Sequence, residues 1–314
     1  HSTAQPRAWC VRLLRSTCSM FAAGALVARA LGGGLLPEGA VVGASGRTAE
    51  CNDAIATHFK GALPGTDVDA RVFDVLSARG FTAANTLFAQ STCSDEVNHD
   101  NGAEDISLIM AGRYGEVFNL GGLAGLPFTG KTGWGAFSGH VPVNGNIVVL
   151  IAPHVGVASD GTVGKVKRPG QDGLSTACGA SVGAFSSLVA DPEQEDFGSG
   201  YCDHQIDCIK HLLRPHVEQL RAVADDNTRM AHLAYATYGI ARQFLHEMVS
   251  YGWCGEDSKL AVLGGVMINC DGDNTDVFLP LDLSVHTADG ESDSLFDEAF
   301  AGVAFAPRPD LAKF

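Results

Sequence analysis

Charged residues are scarce in this sequence, and positive charge is the scarcer sign. Only 18% of the 314 residues are charged, against about 25% in an average protein. The 21 lysines and arginines face 36 acidic residues, which gives a formal net charge of -15. Such a surface repels phosphate backbones and anionic lipid headgroups. We therefore expect no nucleic-acid partner.

Long apolar runs and a disulfide framework are also missing. The most apolar stretch, residues 20–36, is interrupted by Arg29 and by three consecutive glycines. No membrane span is therefore predicted, because a span needs about 18 or more apolar residues in a row. The nine cysteines are odd in number and irregularly spaced, which favours a reducing compartment or metal ligation over disulfides. Hydrophobic residues still make up 46% of the chain, which is enough for a core.

The first 37 residues lack acidic side chains altogether. They contain four arginines, and the first carboxylate is Glu38. A basic, acid-free N-terminal segment is typical of organelle transit peptides, and an ordered amphipathic arm is the alternative interpretation. We expect residues 1–43 to form such an arm or targeting segment. Because no linker or fixed-period repeat interrupts residues 44–314, these are expected to form a single α/β domain.

The hydrophobic pattern alternates helices and strands in the order of an α/β fold. Helices are predicted near residues 67–79, 105–113, 204–224 (with a break at Pro215) and 228–251, and strands near 85–90, 116–120, 260–268 and 277–283. The strongest strand, residues 146–152, reads NIVVLIA. Such a β-branched run is typical of strands buried on both faces of a parallel sheet. We expect a central, mostly parallel sheet flanked by helices, with this strand in its interior.

A phosphate-binding pattern occurs at residues 125–132, which match G-x-x-x-x-G-K-[ST] and follow a predicted strand. Glycines at positions 133, 135 and 139 disfavour the helix that should hold the phosphates. The strand at 146–152 is followed by Pro-His and not by the acid that would bind magnesium. We interpret the match as a glycine-rich bend, with a P-loop NTPase as an alternative.

Residues 202–211 contain two cysteines and two histidines, Cys202, His204, Cys208 and His211. On a helix, Cys208 and His211 share a face while Cys202 lies on another. No further ligand pair stands at zinc-finger spacing. We interpret this segment as the start of a partly buried helix.

A dispersed set of residues offers a better metal site. Cys93 stands where the first predicted strand ends, His154 follows the central strand, and Cys178 opens a helix of small residues. Since the carboxyl ends of parallel strands share one edge of a sheet, these side chains are expected to meet there. Two thiolates and one imidazole suit zinc, and three protein ligands leave a fourth position open, as in catalytic sites.

His140 is the rival third ligand, because a loop would bring it to the same edge. We prefer His154 for its position at the end of a strand. The histidine that does not ligate would serve as a proton shuttle or as a hydrogen-bond partner of a ligand.

Several segments carry a resemblance to a known family. Cys93-Ser-Asp95, Gly115-Glu-Val-Phe-Asn119-Leu-Gly-Gly, the strand before His154 and Cys178-Gly-Ala are similar to the β-type carbonic anhydrases. Here 23 residues separate His154 from Cys178, where the β-type pattern has two. With this insertion and the segments FTGKTGWGAF, APHVGV, DGTVGKV and STACGA, the chain resembles the limiting-CO2-inducible B family, also called theta-type carbonic anhydrases, over about residues 65–285.

That resemblance implies a zinc lyase that interconverts CO2 and bicarbonate on a β-carbonic-anhydrase-like fold. It also implies a homodimer or a related hetero-oligomer. The implied location is a plastid (stroma, pyrenoid periphery or thylakoid lumen), where the enzyme would serve an algal CO2-concentrating mechanism. Because some members of the family are inactive, the alternative is a catalytically silent scaffold or a sensor of inorganic carbon.

One arginine of the β-type pattern is missing from its usual position. In the β-type enzymes, an arginine two positions after the aspartate holds that carboxylate away from zinc, but here the position is Val97. With Asp95 as the catalytic carboxylate, we expect Arg168 in the insertion to supply the guanidinium. Arg113 is the second choice.

Lys131 provides a test of the bend interpretation. If residues 125–132 bind no phosphate, neither ATP nor GTP should raise the melting temperature of the protein or of Lys131→Ala, because a ligand stabilises only what it binds. A thermal-shift titration with each nucleotide measures this. Stabilisation that saturates with nucleotide and disappears in the variant would support the NTPase instead.

Overall fold

A computed structural model of the chain describes residues 46–99, 102–198, 200–250, 257–272 and 275–307. The arm or targeting segment expected at residues 1–43 lies outside these ranges. None of the helices within them combines the length and apolar character needed to cross a membrane.

Helices and strands alternate between residues 65 and 152, and runs of consecutive strands and consecutive helices follow. The helices are α1 (Ala49–His58), α2 (Gly65–Ser77), α3 (Ile106–Tyr114), α4 (Gly130–Ser138), α5 (Gly179–Ala190), α6 (His204–Leu213), α7 (Val217–Arg221), α8 (Asp226–Val249) and α9 (Phe296–Ala299). The strands are β1 (Thr86–Thr92), β2 (Val117–Asn119), β3 (Asn146–Ala152), β4 (His154–Val157), β5 (Lys165–Lys167), β6 (Leu174–Thr176), β7 (Lys259–Cys270), β8 (Val277–Thr287) and β9 (Ser292–Ser294). Short 3-10 turns lie at Glu96–Asn98, Leu123–Gly125, Gly200–Cys202 and Arg214–His216, so the predicted break at Pro215 is confirmed.

A seven-stranded sheet runs through the fold. Its order is β2-β1-β3-β7-β8-β9, with β4 also paired to β7. The pairs among β1, β2, β3, β4 and β7 are parallel, while β8 and β9 pair antiparallel. The predicted mostly parallel sheet is confirmed, and the NIVVLIA run forms an inner strand, β3.

β3 is buried at all seven of its residues. Ile147, Val149 and Ile151 pack against the helices α4 to α8, whereas Val148 and Leu150 pack against α2, α3 and α9. Successive side chains of a strand point to opposite faces, so a continuous apolar run fills both layers of core. Each such buried side chain contributes roughly 1.5–3 kcal/mol.

Pro153 separates β3 from β4 at the carboxyl edge of the sheet. β1 and β3 stay in register up to the pair Thr92 and Ala152, so Cys93 and Pro153 leave the sheet at the same level. The carbonyl of Pro153 then accepts the amide of Met267 at 2.9 Å, and β4 continues beside β7. His154, the first residue of β4, is thereby held at this edge.

The insertion between His154 and Cys178 folds back as a hairpin of β5 and β6. At its end, the carbonyl of Ala177 accepts the amide of Gly156 at 2.9 Å. The amide of Ala177 donates to the carbonyl of Gly164 at 3.1 Å. These bonds return the chain to β4, so that α5 begins beside His154.

Residues 130–138 form helix α4, where poor helix formation was expected, and that expectation was wrong. Trp134 and Phe137 on this helix are 1% and 0% exposed. Their burial outweighs the cost of about 1 kcal/mol for each glycine within a helix. The glycines therefore do not argue against nucleotide binding, although the end of β3 still offers no acid for magnesium.

A pair of glycines in β7 accommodates an irregularity in the pairing with β8. A Cβ added at Gly265 would lie 2.2 Å from the carbonyl oxygen of Leu279. Because that oxygen belongs to a paired strand, Gly265→Ala should destabilise the protein by about 1–3 kcal/mol. Urea denaturation measures this free energy of unfolding.

Gly112→Ala is the matched control, because Gly112 lies within α3 and a Cβ there meets nothing within 4 Å. It should raise the free energy of unfolding by about 0.5–1 kcal/mol. Equal effects of the two substitutions would contradict the steric argument for Gly265.

Candidate metal centre

Three buried side chains meet at the carboxyl edge of the sheet. Cys93 directly follows β1, His154 opens β4, and Cys178 is the residue before α5. Their possible ligand atoms all lie within 4.8 Å of one another. Among the described residues, no other group of three or more His, Cys, Asp or Glu side chains forms such a cluster. The structure thus brings together the three residues selected from the sequence.

The donor set fits a tetrahedral zinc ion. Two sulfurs each about 2.3 Å from a tetrahedral zinc are about 3.8 Å apart, and the Sγ atoms of Cys93 and Cys178 are separated by 3.8 Å. The Nε2 atom of His154 is buried without a hydrogen-bond partner. A buried polar atom left unpaired is costly, and a metal ion bound there would satisfy it.

The two thiols differ in acidity. A hydrogen bond with Cys93 and the nearby His154 hold the pKa of Cys178 well below its usual value, against the effect of burial. The same hydrogen bond and burial raise the pKa of Cys93. Since the thiolate is the form that binds a metal, Cys178 is the thiol that ionises first, and Cys93 would release its proton as the metal binds.

Residues 119–125 pack directly onto the end of β1. A Cβ at Gly121 would lie 2.3 Å from the carbonyl oxygen of Thr92, so only a glycine allows this approach. Ser91 donates its hydroxyl to the carbonyl of Gly125 at 2.8 Å. Ala124 adopts a left-handed conformation with φ of 59°, and its backbone amide hydrogen-bonds the sulfur of Cys93. This segment therefore helps to position the Cys93 ligand.

The guanidinium of Arg168 donates two hydrogen bonds to the carboxylate of Asp95. Nη1 reaches Oδ1 at 2.8 Å and Nη2 reaches Oδ2 at 2.9 Å. Asp95 Oδ2 lies 3.7 Å from Nε2 of His154. Burial acts to raise the pKa of Asp95, but Arg168 and His154 outweigh it and hold the pKa below its usual value. The carboxylate is therefore ionised at neutral pH and lies beside the metal cluster.

The guanidinium of Arg168 is itself fixed by the hairpin. Its Nε donates to Ser175 Oγ at 2.7 Å, and Nη2 donates to the carbonyl of Thr176 at 3.1 Å. A second carboxylate, that of Glu96, also accepts from Nη1. The insertion thus supplies the arginine that position 97 lacks.

Comparison with known proteins identifies the family. A family model described as limiting CO2-inducible proteins B/C beta carbonic anhydrases matches residues 62–287. The chain belongs to this family. The resemblance seen in the sequence is thereby confirmed.

Two solved structures of LCIB proteins support the fold. PtLCIB4, a homolog of the limiting CO2-inducible protein LCIB, is 29% identical, with a TM-score of 0.69 over 77% of this chain and 98% of that chain. LCIB is 19% identical, with a TM-score of 0.57 over 76% of this chain and 95% of that chain, and this likeness concerns the fold alone. No curated protein matches the sequence.

The other candidate residues of this LCIB-family chain lie apart from the cluster. Arg113, the second choice for the grip on Asp95, instead pairs with Asp69, with 2.8 Å between Nε and Oδ1. His140 is exposed, and its ring lies beside that of Phe118. His140 is therefore not brought into the ligand group, and its role as proton shuttle stays a prediction.

The cysteines and histidines of residues 202–211 form no ligand cluster in the LCIB-family fold. Cys202 is exposed and Cys208 is half-buried, and His211 Nδ1 lies 2.8 Å from a carboxylate oxygen of Asp196. Helix α6 begins at His204, as expected for a helix start.

Asn269 is a residue of the site that sequence reasoning missed. Its Oδ1 lies 2.8 Å from Nδ1 of His154. The available signal is an amide near the end of an otherwise apolar strand, KLAVLGGVMINC. A buried asparagine in such a strand needs polar partners, but the sequence does not show which ones.

Removal of a ligand tests the cluster. Cys93→Ser, His154→Ala and Cys178→Ser should each lose most of the bound zinc, because two protein ligands hold the ion too weakly. His140→Ala should retain it. Metal content is measured by mass spectrometry after purification. Zinc retained in His154→Ala but lost in His140→Ala would exchange the roles of the two histidines.

Proposed function

We propose that this protein catalyses the zinc-dependent, reversible hydration of CO2 to bicarbonate. The observation that carries the proposal is the combination of a cluster of three metal donors with an adjacent carboxylate, that of Asp95, held by Arg168. Membership in a family of carbonic-anhydrase-type proteins supports it.

Cys93, His154 and Cys178 would hold the zinc ion. When bound, zinc supplies the Lewis acidity that makes water a nucleophile near neutral pH. Three protein ligands are the number typical of a catalytic zinc site, whereas structural sites use four.

Asp95 would orient the reacting water. An ionised carboxylate only accepts hydrogen bonds. Oδ1 of Asp95 already accepts from Arg168 and from the amide of Val97, whereas Oδ2 accepts from Arg168 and keeps a lone pair on the side of the cluster, 3.7 Å from Nε2 of His154. Asp95 therefore accepts a hydrogen bond from the water and directs a lone pair of its oxygen toward CO2. A bidentate grip holds the carboxylate in one orientation, which keeps Asp95 from turning onto the metal.

A small pocket beside the cluster suits an apolar substrate. The candidate ligands His154 and Cys178 form part of its wall. Its other walls are mostly apolar and include Val182, Met230 and Leu233. CO2 carries no net charge and has no hydrogen to donate. It can therefore lie against apolar side chains without burying a hydrogen-bond donor that lacks a partner.

The alternative is a catalytically silent scaffold or a sensor of inorganic carbon, and the apolar Val97 would favour it if no other arginine reached Asp95. The Arg168 grip supports the enzyme over this alternative, because it replaces the missing arginine. We further propose a homodimer in a plastid that serves a CO2-concentrating mechanism. The support for that location is the acid-free, arginine-containing segment of residues 1–37.

Stopped-flow CO2 hydration, measured together with zinc content, tests the proposed function. The protein should contain zinc and accelerate hydration near neutral pH. A zinc-loaded protein with no activity anywhere between about pH 6 and 9 would favour the silent scaffold.

Arg168→Lys tests the role of the guanidinium in the same assay. A lysine cannot reproduce the bidentate grip, so the variant should retain zinc while hydration falls by about 100-fold, the scale of loss for a misplaced catalytic group. Arg113→Lys is the matched control, because Arg113 grips Asp69 in a similar way, apart from the cluster. It should leave hydration unchanged. Full activity in Arg168→Lys would discard Arg168 as the partner of Asp95.

A further inference from the structure

Asn269 contacts the nitrogen of His154 that does not belong to the metal cluster. Nδ1 of His154 lies 2.8 Å from Oδ1 of Asn269, and the two residues are only 3% and 2% exposed. In a neutral imidazole one nitrogen carries the proton and the other offers a lone pair. The partner of Nδ1 therefore decides which nitrogen is free to bind a metal.

Two acceptors fix the orientation of the Asn269 amide. Its Nδ2 donates to Oδ2 of Asp276 at 3.0 Å and to the carbonyl oxygen of Val97 at 3.3 Å. Neither a carboxylate nor a carbonyl can donate a hydrogen bond. Turning the amide over would place its oxygen against both of these oxygens. The side-chain oxygen of Asn269 must therefore face His154.

Asp276 is in turn anchored by the backbone. Its Oδ1 accepts the amide of Cys270 at 2.8 Å, at the end of β7. Val97 lies in the turn that follows Cys93 and Asp95, so the same amide also ties this turn to β7. Donation therefore runs from His154 through Asn269 to Asp276, and the backbone amide of Cys270 donates to the same Asp276 carboxylate and holds it in place.

We propose that Asn269, oriented by Asp276, is a positioning residue that keeps the proton of His154 on Nδ1 and leaves Nε2 as the metal-binding atom. Nε2 of His154 has no hydrogen-bond partner, as expected for the ring nitrogen that is left to bind the metal. The inference rests on the proposed zinc site and not on turnover. Loss of the hydrogen-bond partner of a ligating histidine weakens metal binding by about 10–100-fold.

The first test measures zinc affinity by competition with a chromophoric chelator, starting from the zinc-loaded protein. Asn269→Leu keeps the size of the side chain but removes the acceptor, and it should bind zinc about 10–100-fold more weakly. Undiminished affinity would overturn the proposal.

Asn146→Leu is the matched control for the loss of a buried amide. Asn146 is 7% exposed, lies at the opposite end of the parallel strands, and bonds the carbonyl of Gly80 and the amide of Lys259. It should lower the melting temperature and leave zinc affinity unchanged. An equal loss of zinc in both variants would reduce Asn269 to a general structural role and overturn the proposal.

A nitrogen-15 NMR spectrum of the zinc-loaded, histidine-labelled protein locates the proton directly. The ring of His154 should show a slowly exchanging proton on Nδ1, in the unmodified protein and in Asn146→Leu alike. A His154 without a proton on Nδ1 would refute the proposal.

Failure of the inference can be told from failure of the proposed function. If the unmodified protein does not bind zinc, both are wrong. If the protein is zinc-loaded and active but Asn269→Leu binds zinc equally well, the inference alone is wrong.

Discussion

The in-register parallel pairing of β1, β3 and β7 is the constraint on which the site depends. β3 is buried on both faces, and a shift of one residue would exchange its side chains between the two core layers. Its register with β1 is therefore fixed, and so is the level at which Cys93 leaves the sheet and His154 begins β4. A metal cluster needs its donors placed within a few tenths of an ångström, and strands and helices position such donors more precisely than loops do.

The electrostatics of the site are built around that edge in two separate parts. One part is the pair of thiols and the imidazole, in which one thiol is acidic and one nitrogen of His154 is left without a partner. The other part is the Asp95 carboxylate, which Arg168 neutralises. Because the hairpin of β5 and β6 holds Arg168, an insertion outside the β-type pattern restores the charge pair at the site.

Local sequence was a good guide wherever one physical signal dominated. The apolar runs predicted β3 and β7, and Pro215 marked a helix break, because burial and the missing proline N–H act locally. The segment at 130–138 shows the opposite case. There, three glycines argue against a helix, yet the burial of Trp134 and Phe137 overrides their low propensity, and this burial depends on helices distant in sequence.

The α/β class, the family resemblance and the selection of Cys93, His154 and Cys178 could be read from the amino-acid sequence, because strand ends and distinctive short segments are visible along one chain. The choice of Arg168 over Arg113, the separation of His140 from the cluster and the place of Asn269 beside His154 emerged with the folded chain. The physical reason is distance along the chain. Arg168 lies 73 residues from Asp95 and Asn269 lies 115 residues from His154, so these partners meet only when the hairpin and β7 are packed against the edge of the sheet.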